Sequence, residues 1–351
     1  MKSRYETLHP LILSLAVLGA SSAASSWAQE PAATTGANAP EAATAATRVS
    51  QILTAHDRSL TRSLRVYIEK NPKAEDLDQA YLNLFEVAIK NDWFTENEDV
   101  ARDYLAKRPR GSVRSMSQIV STMARAQAGQ FDQALAAFTD LVGGLESSEQ
   151  LDFASNFADS LATEASVAGE FESARKIYSI LSQKFPTDTD LQDHVQDLLE
   201  RLDRVGKPSP IEQVVDIAGK PIDFKSLRGK YVLIDFWATW CAPCQADLPV
   251  LEEAYAKHKD QGFEIVSVSL DETSEAVSDY VRQRKISWPQ VHNGSSGKDM
   301  VDAFAVGAIP ANVLLGPDGR VVRLDLRGKN LSRTLDTLLK SGEKPQNRPA
   351  R

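Results

Sequence analysis

Residues 231–244 read Tyr-Val-Leu-Ile-Asp-Phe-Trp-Ala-Thr-Trp-Cys-Ala-Pro-Cys. The run Tyr231–Trp237 is apolar but for one acid and is rich in β-branched and aromatic residues, which predicts a buried strand. Cys241 and Cys244 follow, where a helix is expected to start, and the chain has no other cysteine. A Cys-x-x-Cys pair between a strand and a helix is the minimal apparatus for dithiol–disulfide exchange: one thiolate attacks and the second resolves the mixed disulfide. As a structural staple the pair would close almost no loop and stabilise little.

Cys241, at the predicted helix N-terminus, is the expected nucleophile, because the helix dipole and free N–H groups favour a thiolate there. Cys244, one turn further, is expected to be more buried and to resolve. Asp235 lies six residues before Cys241, inside the apolar run. A buried acid is costly without a task, so Asp235 is assigned to proton transfer with Cys244. Asp247, one turn after Cys244, is either an acid beside the site or a first-turn acid on the helix dipole. Two carboxylates near the pair would push the thiol pKa up, which favours a reducing or near-neutral couple over an oxidising one. His258 and His292 are isolated and read as surface residues. No His/Cys/Asp spacing suggests a metal, and Gln245, not histidine, follows Cys244.

Outward from this stretch, short strands are expected at 231–237, 263–269, 312–315 and 320–325, with helices near 244–259, 274–286 and 331–340. The alternation predicts an α/β domain with a central sheet covered by helices. Ala218-Gly219-Lys220-Pro221 and Gly316-Pro317-Asp318-Gly319 mark turns. Lys207-Pro208-Ser209-Pro210 marks the boundary to residues 50–205, which show helical periodicity throughout, interrupted at Pro72, Pro109 and Pro186. There Gly129, Phe131, Ala134 and Phe138 recur forty positions later as Gly169, Phe171, Ala174 and Tyr178. The spacing resembles the tetratricopeptide pattern and predicts an all-α domain of helical hairpins. Such a domain could bind a protein partner, mediate self-association or only pack on the sheet domain.

The N-terminus reads as an export signal: Lys2 and Arg4, an apolar core over Leu11–Ala20 too short to span a bilayer, and small residues at Ser26-Trp27-Ala28. Cleavage is expected after Ala28, placing the mature protein in a bacterial periplasm, without a lipid anchor. Residues 29–49 read as a disordered linker and 342–351 as a disordered tail. The net charge of −8 is uneven. Residues 29–205 hold 18 basic and 28 acidic side chains, −10, while 206–341 hold 17 and 18, −1. An acidic surface argues against nucleic acid or anionic lipid as partner.

With these residues, and with Leu227-Arg228-Gly229-Lys230, Asp247-Leu248-Pro249, Gly307-Ala308-Ile309-Pro310-Ala311 and Pro317-Asp318-Gly319, the segment 206–341 resembles a thioredoxin-like domain of the TlpA/ResA group of exported thiol–disulfide oxidoreductases. The resemblance implies a protein disulfide reductase that needs no cofactor beyond the Cys241–Cys244 disulfide. It implies protein thiol or disulfide substrates, apocytochrome c among them as in cytochrome c biogenesis, and a membrane electron donor of the DsbD or CcdA kind. Asp235 matches the acid beneath the disulfide of thioredoxins, where this group more often has asparagine. Asp247 matches an acid of the group's reductases, usually glutamate. Pro310 matches the cis-proline facing the active site, preceded by Ile309 as in reductants. Trp240, Ala242, Pro243, Ile309 and Pro310 are the substrate contacts so implied. The rival readings are an oxidase of the DsbA kind and a binding scaffold whose redox pair is regulatory.

Overall fold

The computed structural model describes residues 49–145, 150–295 and 299–341. The expected signal peptide, nearly all of the linker and the tail lie outside the described residues. No helix among the described residues is long and apolar enough to cross a membrane. The described chain forms two compact units, 49–157 and 158–341.

The first unit consists of α1 (Val49–Lys70), α2 (Leu77–Asn91), α3 (Phe94–Lys107), α4 (Arg114–Gln127), α5 (Phe131–Gly143) and the start of α6 (Leu151–Ala168). Its core is aromatic, with Tyr81 edge-on to Tyr104 at 4.7 Å and Phe138 against Phe157 at 5.5 Å. The turn after α4 and the turn between α6 and α7 (Phe171–Lys184) are built alike. Gly129 and Gly169 adopt φ of 75° and 84°. The next amide, of Gln130 or Glu170, reaches back 2.8 Å to the carbonyl five residues earlier. That closure requires a left-handed residue, which glycine supplies without a Cβ clash. A third copy follows α2: Asp92 takes φ 54° and Trp93 N–H bonds Ala88 O at 2.8 Å, ahead of Phe94. The sequence repeat shows two copies and the backbone three, because aspartate stands where the other two have glycine.

The second unit holds the sheet. After α7 and α8 (Thr189–Leu202) come a small antiparallel hairpin, β1 (Gln213–Val215) and β2 (Pro221–Asp223), and then β3 (Tyr231–Trp237). The chain continues through α9 (Ala242–His258), β4 (Phe263–Ser269), α10 (Ser274–Arg284), β5 (Gln290–His292), α11 (Met300–Ala303), β6 (Ala311–Leu315), β7 (Val321–Leu324) and α12 (Gly328–Ser341). The five-stranded sheet has the order β5-β4-β3-β6-β7. Strands β3, β4 and β5 are parallel, β6 runs against β3, and β7, antiparallel to β6, returns to the direction of the first three. This is a thioredoxin-like mixed sheet flanked by helices. Strand β3 is central and buried at every position, as its apolar run demands.

Alternation along β3 sends Tyr231, Leu233 and Asp235 to one face. Tyr231 and Leu233 there pack with Leu251 and Ala254 of α9, Leu331 and Leu335 of α12, and Val167 of α6. Phe236 points to the other face and meets Phe304 at 6.0 Å.

The compact unit containing the sheet thus begins within α6, not at the change of pattern near Lys207. Two contacts explain this. Val167 is part of the sheet's own core. Arg201, at the end of α8, is buried and bonds both Asp325 oxygens, at 3.0 and 2.6 Å, and the Asn312 carbonyl at 3.0 Å. Removing one side of such a pair leaves the other charge uncompensated. Asp325 is partly exposed, which moderates the effect. Arg201→Ala is expected to destabilise the unit by about 2 kcal/mol. In denaturant unfolding, a chain starting at Leu151 should be more stable than one starting at Lys207; equal midpoints would show that α6–α8 contribute nothing to this unit.

Candidate active site

Strand β3 delivers the chain to Cys241, which is the N-cap of α9. Proline near the helix start lacks an amide that would have had no partner there, so Pro243 fits without loss. The Cys244 amide donates to Cys241 Sγ at 3.2 Å, so a charge on that sulfur would face a free helix N–H. Cys241 and Cys244 are joined in a disulfide with Cα atoms 5.3 Å apart. Both are buried, Cys241 at 5% and Cys244 at 7% exposure. The expectation that Cys244 is the more buried does not hold in this oxidised form. Trp237, Ala238 and Val277 pack around both sulfurs, with Ile309 partly buried against the same cluster.

Trp240 is 66% exposed and forms the rim. Ala242 beside it is exposed and Pro243 half-buried. The Ile309–Pro310 peptide bond is cis. Pro310 directly precedes β6, whose Ala311 pairs with Phe236 near the end of β3. The structure therefore brings Ile309 against the cysteine cluster and leaves Trp240 and Ala242 exposed.

Asp235 is buried under α9 on the central strand. It lines, with Cys244, Gln245, Ser267 and Trp288, a cavity whose room for water centres is about 10 Å³, enough for about one water. Its carboxylate accepts from Ser267 Oγ at 3.0 Å. Ser267 Oγ in turn accepts from the Trp288 indole N–H at 2.8 Å. Burial is the main influence on Asp235 and pushes its pKa up to about 7. The Ser267 hydrogen bond opposes that shift, the negative charge of Asp247 adds to it and Arg327 opposes it.

Asp247 has a partner that neither sequence reading includes: Arg327 Nε lies 2.6 Å from its carboxylate. Arg327 therefore offsets part of the charge that Asp247 brings, which weakens the charge argument drawn from sequence.

A second buried acid, Asp271, was missed from sequence. It accepts from Thr239 N–H at 3.1 Å, Thr239 Oγ1 at 2.6 Å and Ser269 Oγ at 2.6 Å. Gln245 Nε2 also donates to Thr239 O at 2.6 Å. Together these bonds fix the loop between β3 and the cysteines. The turn from Ser269 to Asp271 at the end of β4 is the only sequence signal for it, and that signal is weak. His292 and His258 are not surface residues: both are buried, His292 Nε2 lying 2.8 Å from Asp271 O and His258 Nε2 3.3 Å from Asp336. Each fills space between elements that the sequence does not reveal as neighbours.

A helix-capping cysteine, its partner one turn on, a buried acid under that partner and an adjacent cis-proline form the geometry of dithiol–disulfide exchange. Known proteins agree. The family model described as thioredoxin-like matches residues 229–321. The thiol–disulfide oxidoreductase ResA of Bacillus thuringiensis (strain Al Hakam) is 36% identical over 137 residues, 39% of this chain and 78% of that protein. The chain belongs to the ResA-like thiol–disulfide oxidoreductases. ResA of Bacillus subtilis (strain 168) is 34% identical over 119 residues, 34% of this chain and 65% of that protein. A crystal structure of the thioredoxin domain of a Bacteroides vulgatus thiol–disulfide oxidoreductase is also similar, with 31% identity and a TM-score of 0.36. It covers 38% of this chain and 97% of that one.

The buried acid makes stability depend on pH in this oxidoreductase. Its folded pKa lies above the unfolded value of 3.8. The folded state therefore holds the proton more tightly, and the wild type loses stability as pH rises from about 4 through about 7. Asp235→Asn removes that loss. In the oxidised protein the variant should gain on the wild type between pH 4 and pH 8, by up to about 4 kcal/mol. Denaturant unfolding at both pH values checks it, and a pH-independent difference would contradict the assignment.

Proposed function

We propose that this oxidoreductase is an exported protein disulfide reductase acting outside the cytoplasm, in a bacterial periplasm. The observation that carries the direction is Asp235, a buried carboxyl lining the same water-sized cavity as Cys244. A couple that strongly oxidises its substrates needs a very stable thiolate. A buried carboxylate beside the pair works against that. The export signal read at residues 1–28 supports the location.

In the reduced protein the Cys241 thiolate attacks one sulfur of a substrate disulfide. The substrate S–S bond breaks, and its leaving thiolate takes a proton from solvent. The Cys244 thiol then gives its proton to the Asp235 carboxylate, directly or through one water. The new Cys244 thiolate attacks Cys241 Sγ, expelling the second substrate thiolate and closing Cys241–Cys244. Two electrons have passed from the pair to the substrate, and Asp235 returns its proton to solvent. Turnover requires an external dithiol to reopen the pair, which the family resemblance assigns to a membrane donor of the DsbD or CcdA kind. No cofactor enters these steps. Trp240, Ala242, Pro243, Ile309 and cis-Pro310 would line the bound substrate backbone, and Arg327 would offset part of the charge that Asp247 adds to the site.

The reduction potential of the Cys241–Cys244 couple, measured by equilibration with a thiol buffer, tests the direction. A value near roughly −270 mV fits a reductase, whereas one near roughly −120 mV would recast the protein as an oxidase. Cys241→Ser should lose all turnover and Cys244→Ser should accumulate a mixed disulfide with substrate. Asp235→Asn should slow release of reduced substrate by on the order of 10²-fold while sparing the first attack. Stopped-flow kinetics separate the two steps.

A further inference from the structure

The helical unit carries a feature that disulfide exchange does not use. Within the acidic region 29–205, residues 105–125 hold five basic side chains (Lys107, Arg108, Arg110, Arg114 and Arg125) and no acid. Lys107 pairs with Asp103, and Arg108 with Asp78. Arg125 is half-buried and its side chain makes no ion pair or hydrogen bond among the described residues. Arg114 bonds the Gln118 side-chain oxygen at 2.9 Å and has no acid partner among the described residues.

Arg114, Gln118, Ser121 and Arg125 recur every three to four residues and therefore share one face of α4. That face lines a groove of about 400 Å³. Ser121 is 2% and Thr122 0% exposed, and the hydroxyl of each lacks a hydrogen-bond partner. A helical Ser or Thr ordinarily satisfies itself on the carbonyl four residues back. Ser117, one turn earlier on the same helix, does so on Val113 O at 2.9 Å. Two neighbouring buried hydroxyls and a guanidinium that line one groove without side-chain partners among the described residues are a cost to folding. A ligand would offset it.

The groups on offer define that ligand. Guanidinium only donates, and a hydroxyl without a partner can donate. The complementary group is a planar acceptor with two oxygens and a negative charge, which a carboxylate supplies in bidentate fashion. Leu105, Pro109, Ala136 and Ala137 form apolar walls for a neighbouring side chain. Asp140 also lines the groove and is exposed; with Arg114 and Arg125 it leaves a net charge of +1 on the lining, which suits one carboxylate and not a polyanion such as nucleic acid. We propose that this groove binds a carboxylate of an extended polypeptide, giving the helical unit a peptide-docking site separate from the disulfide. The proposal is independent of the reductase reading, because none of these residues belongs to the redox site.

The test is fluorescence anisotropy on the full chain with a rhodamine-labelled pentapeptide, Ala-Leu-Asp-Ala-Leu. Its C-terminal amide, its Asn-for-Asp form and the doubly neutral form are the comparisons. The doubly neutral peptide should bind at least ~10-fold more weakly, the usual effect of losing a charged hydrogen bond. The two single forms show whether the terminus or the side chain supplies the carboxylate. Arg125→Gln should weaken binding at least ~10-fold while leaving reduction of a small-molecule disulfide unchanged. Thr122→Val should weaken binding and raise the thermal midpoint, a split that a purely structural threonine would not give. Equal binding of all four peptides, no saturable binding at millimolar peptide, or full retention in folded Arg125→Gln would overturn the proposal. Tighter binding of an oligothymidylate than of the acidic peptide would overturn it as well.

Discussion

The active-site half of this protein is organised around one unfavourable act, the burial of a carboxyl group in the central strand of a sheet. Nothing in the apolar run Tyr231–Trp237 needs Asp235 for folding. Strand alternation puts it on the face that α9 covers, beneath the second cysteine of the pair. There it has a single side-chain donor among the described residues, the Ser267 hydroxyl. The Trp288 indole, which can only donate, occupies an acceptor site of that hydroxyl and commits its proton to the carboxylate. Asp271 is the instructive contrast. It is also buried at a strand end, yet it accepts from Thr239 and Ser269 through several donors. One acid is satisfied and holds a loop. The other is left under-satisfied, and its burial favours the protonated form.

The rest of the second unit converges on the same strand from its other neighbour. Asn312 of β6 pairs in register with Asp235. Its side chain bridges both backbone groups of Leu326 and its carbonyl accepts from Arg201. The three residues 325–327 therefore act as a joint. Asp325 receives Arg201 from α8, Leu326 anchors β6, and Arg327 neutralises Asp247 on α9. Asp325 adopts a left-handed φ of 52° to place these groups, a conformation that aspartate tolerates better than most residues. A helix from the segment that reads as purely α-helical is thus wired to the register of the redox strand.

What the sequence discloses follows from how locally each feature is encoded. Strands β3 and β4 are seven-residue runs with few polar interruptions and were legible to the residue. Strand β5 is Gln-Val-His, and the β1–β2 hairpin is three residues a side. Neither has a periodicity to read, and both exist because tertiary partners satisfy them, as Trp237 does for Gln290. Cys241, Cys244 and Asp235 could be singled out because each is anomalous in its own neighbourhood. Arg327, Ser267, Asp271 and Arg201 are ordinary where they stand in the chain. They become site residues only through pairings across 32 to more than 100 positions, which one sequence does not contain.

The charge distribution has a physical reading of its own. An acidic helical region suits a chain that must stay soluble and repel non-specific polyanions. Yet the five basic residues between Leu105 and Arg125 interrupt it without an intervening acid. Two of them are consumed in ion pairs with Asp103 and Asp78, and the Arg125 side chain has no partner among the described residues, in a groove it shares with hydroxyls that no backbone carbonyl there has claimed. A surface selected only for solubility would have no reason to leave donors unpaired inside a groove. Local excess of donors over acceptors, in a region where acceptors are plentiful, is what a site for an incoming acceptor looks like before the acceptor arrives.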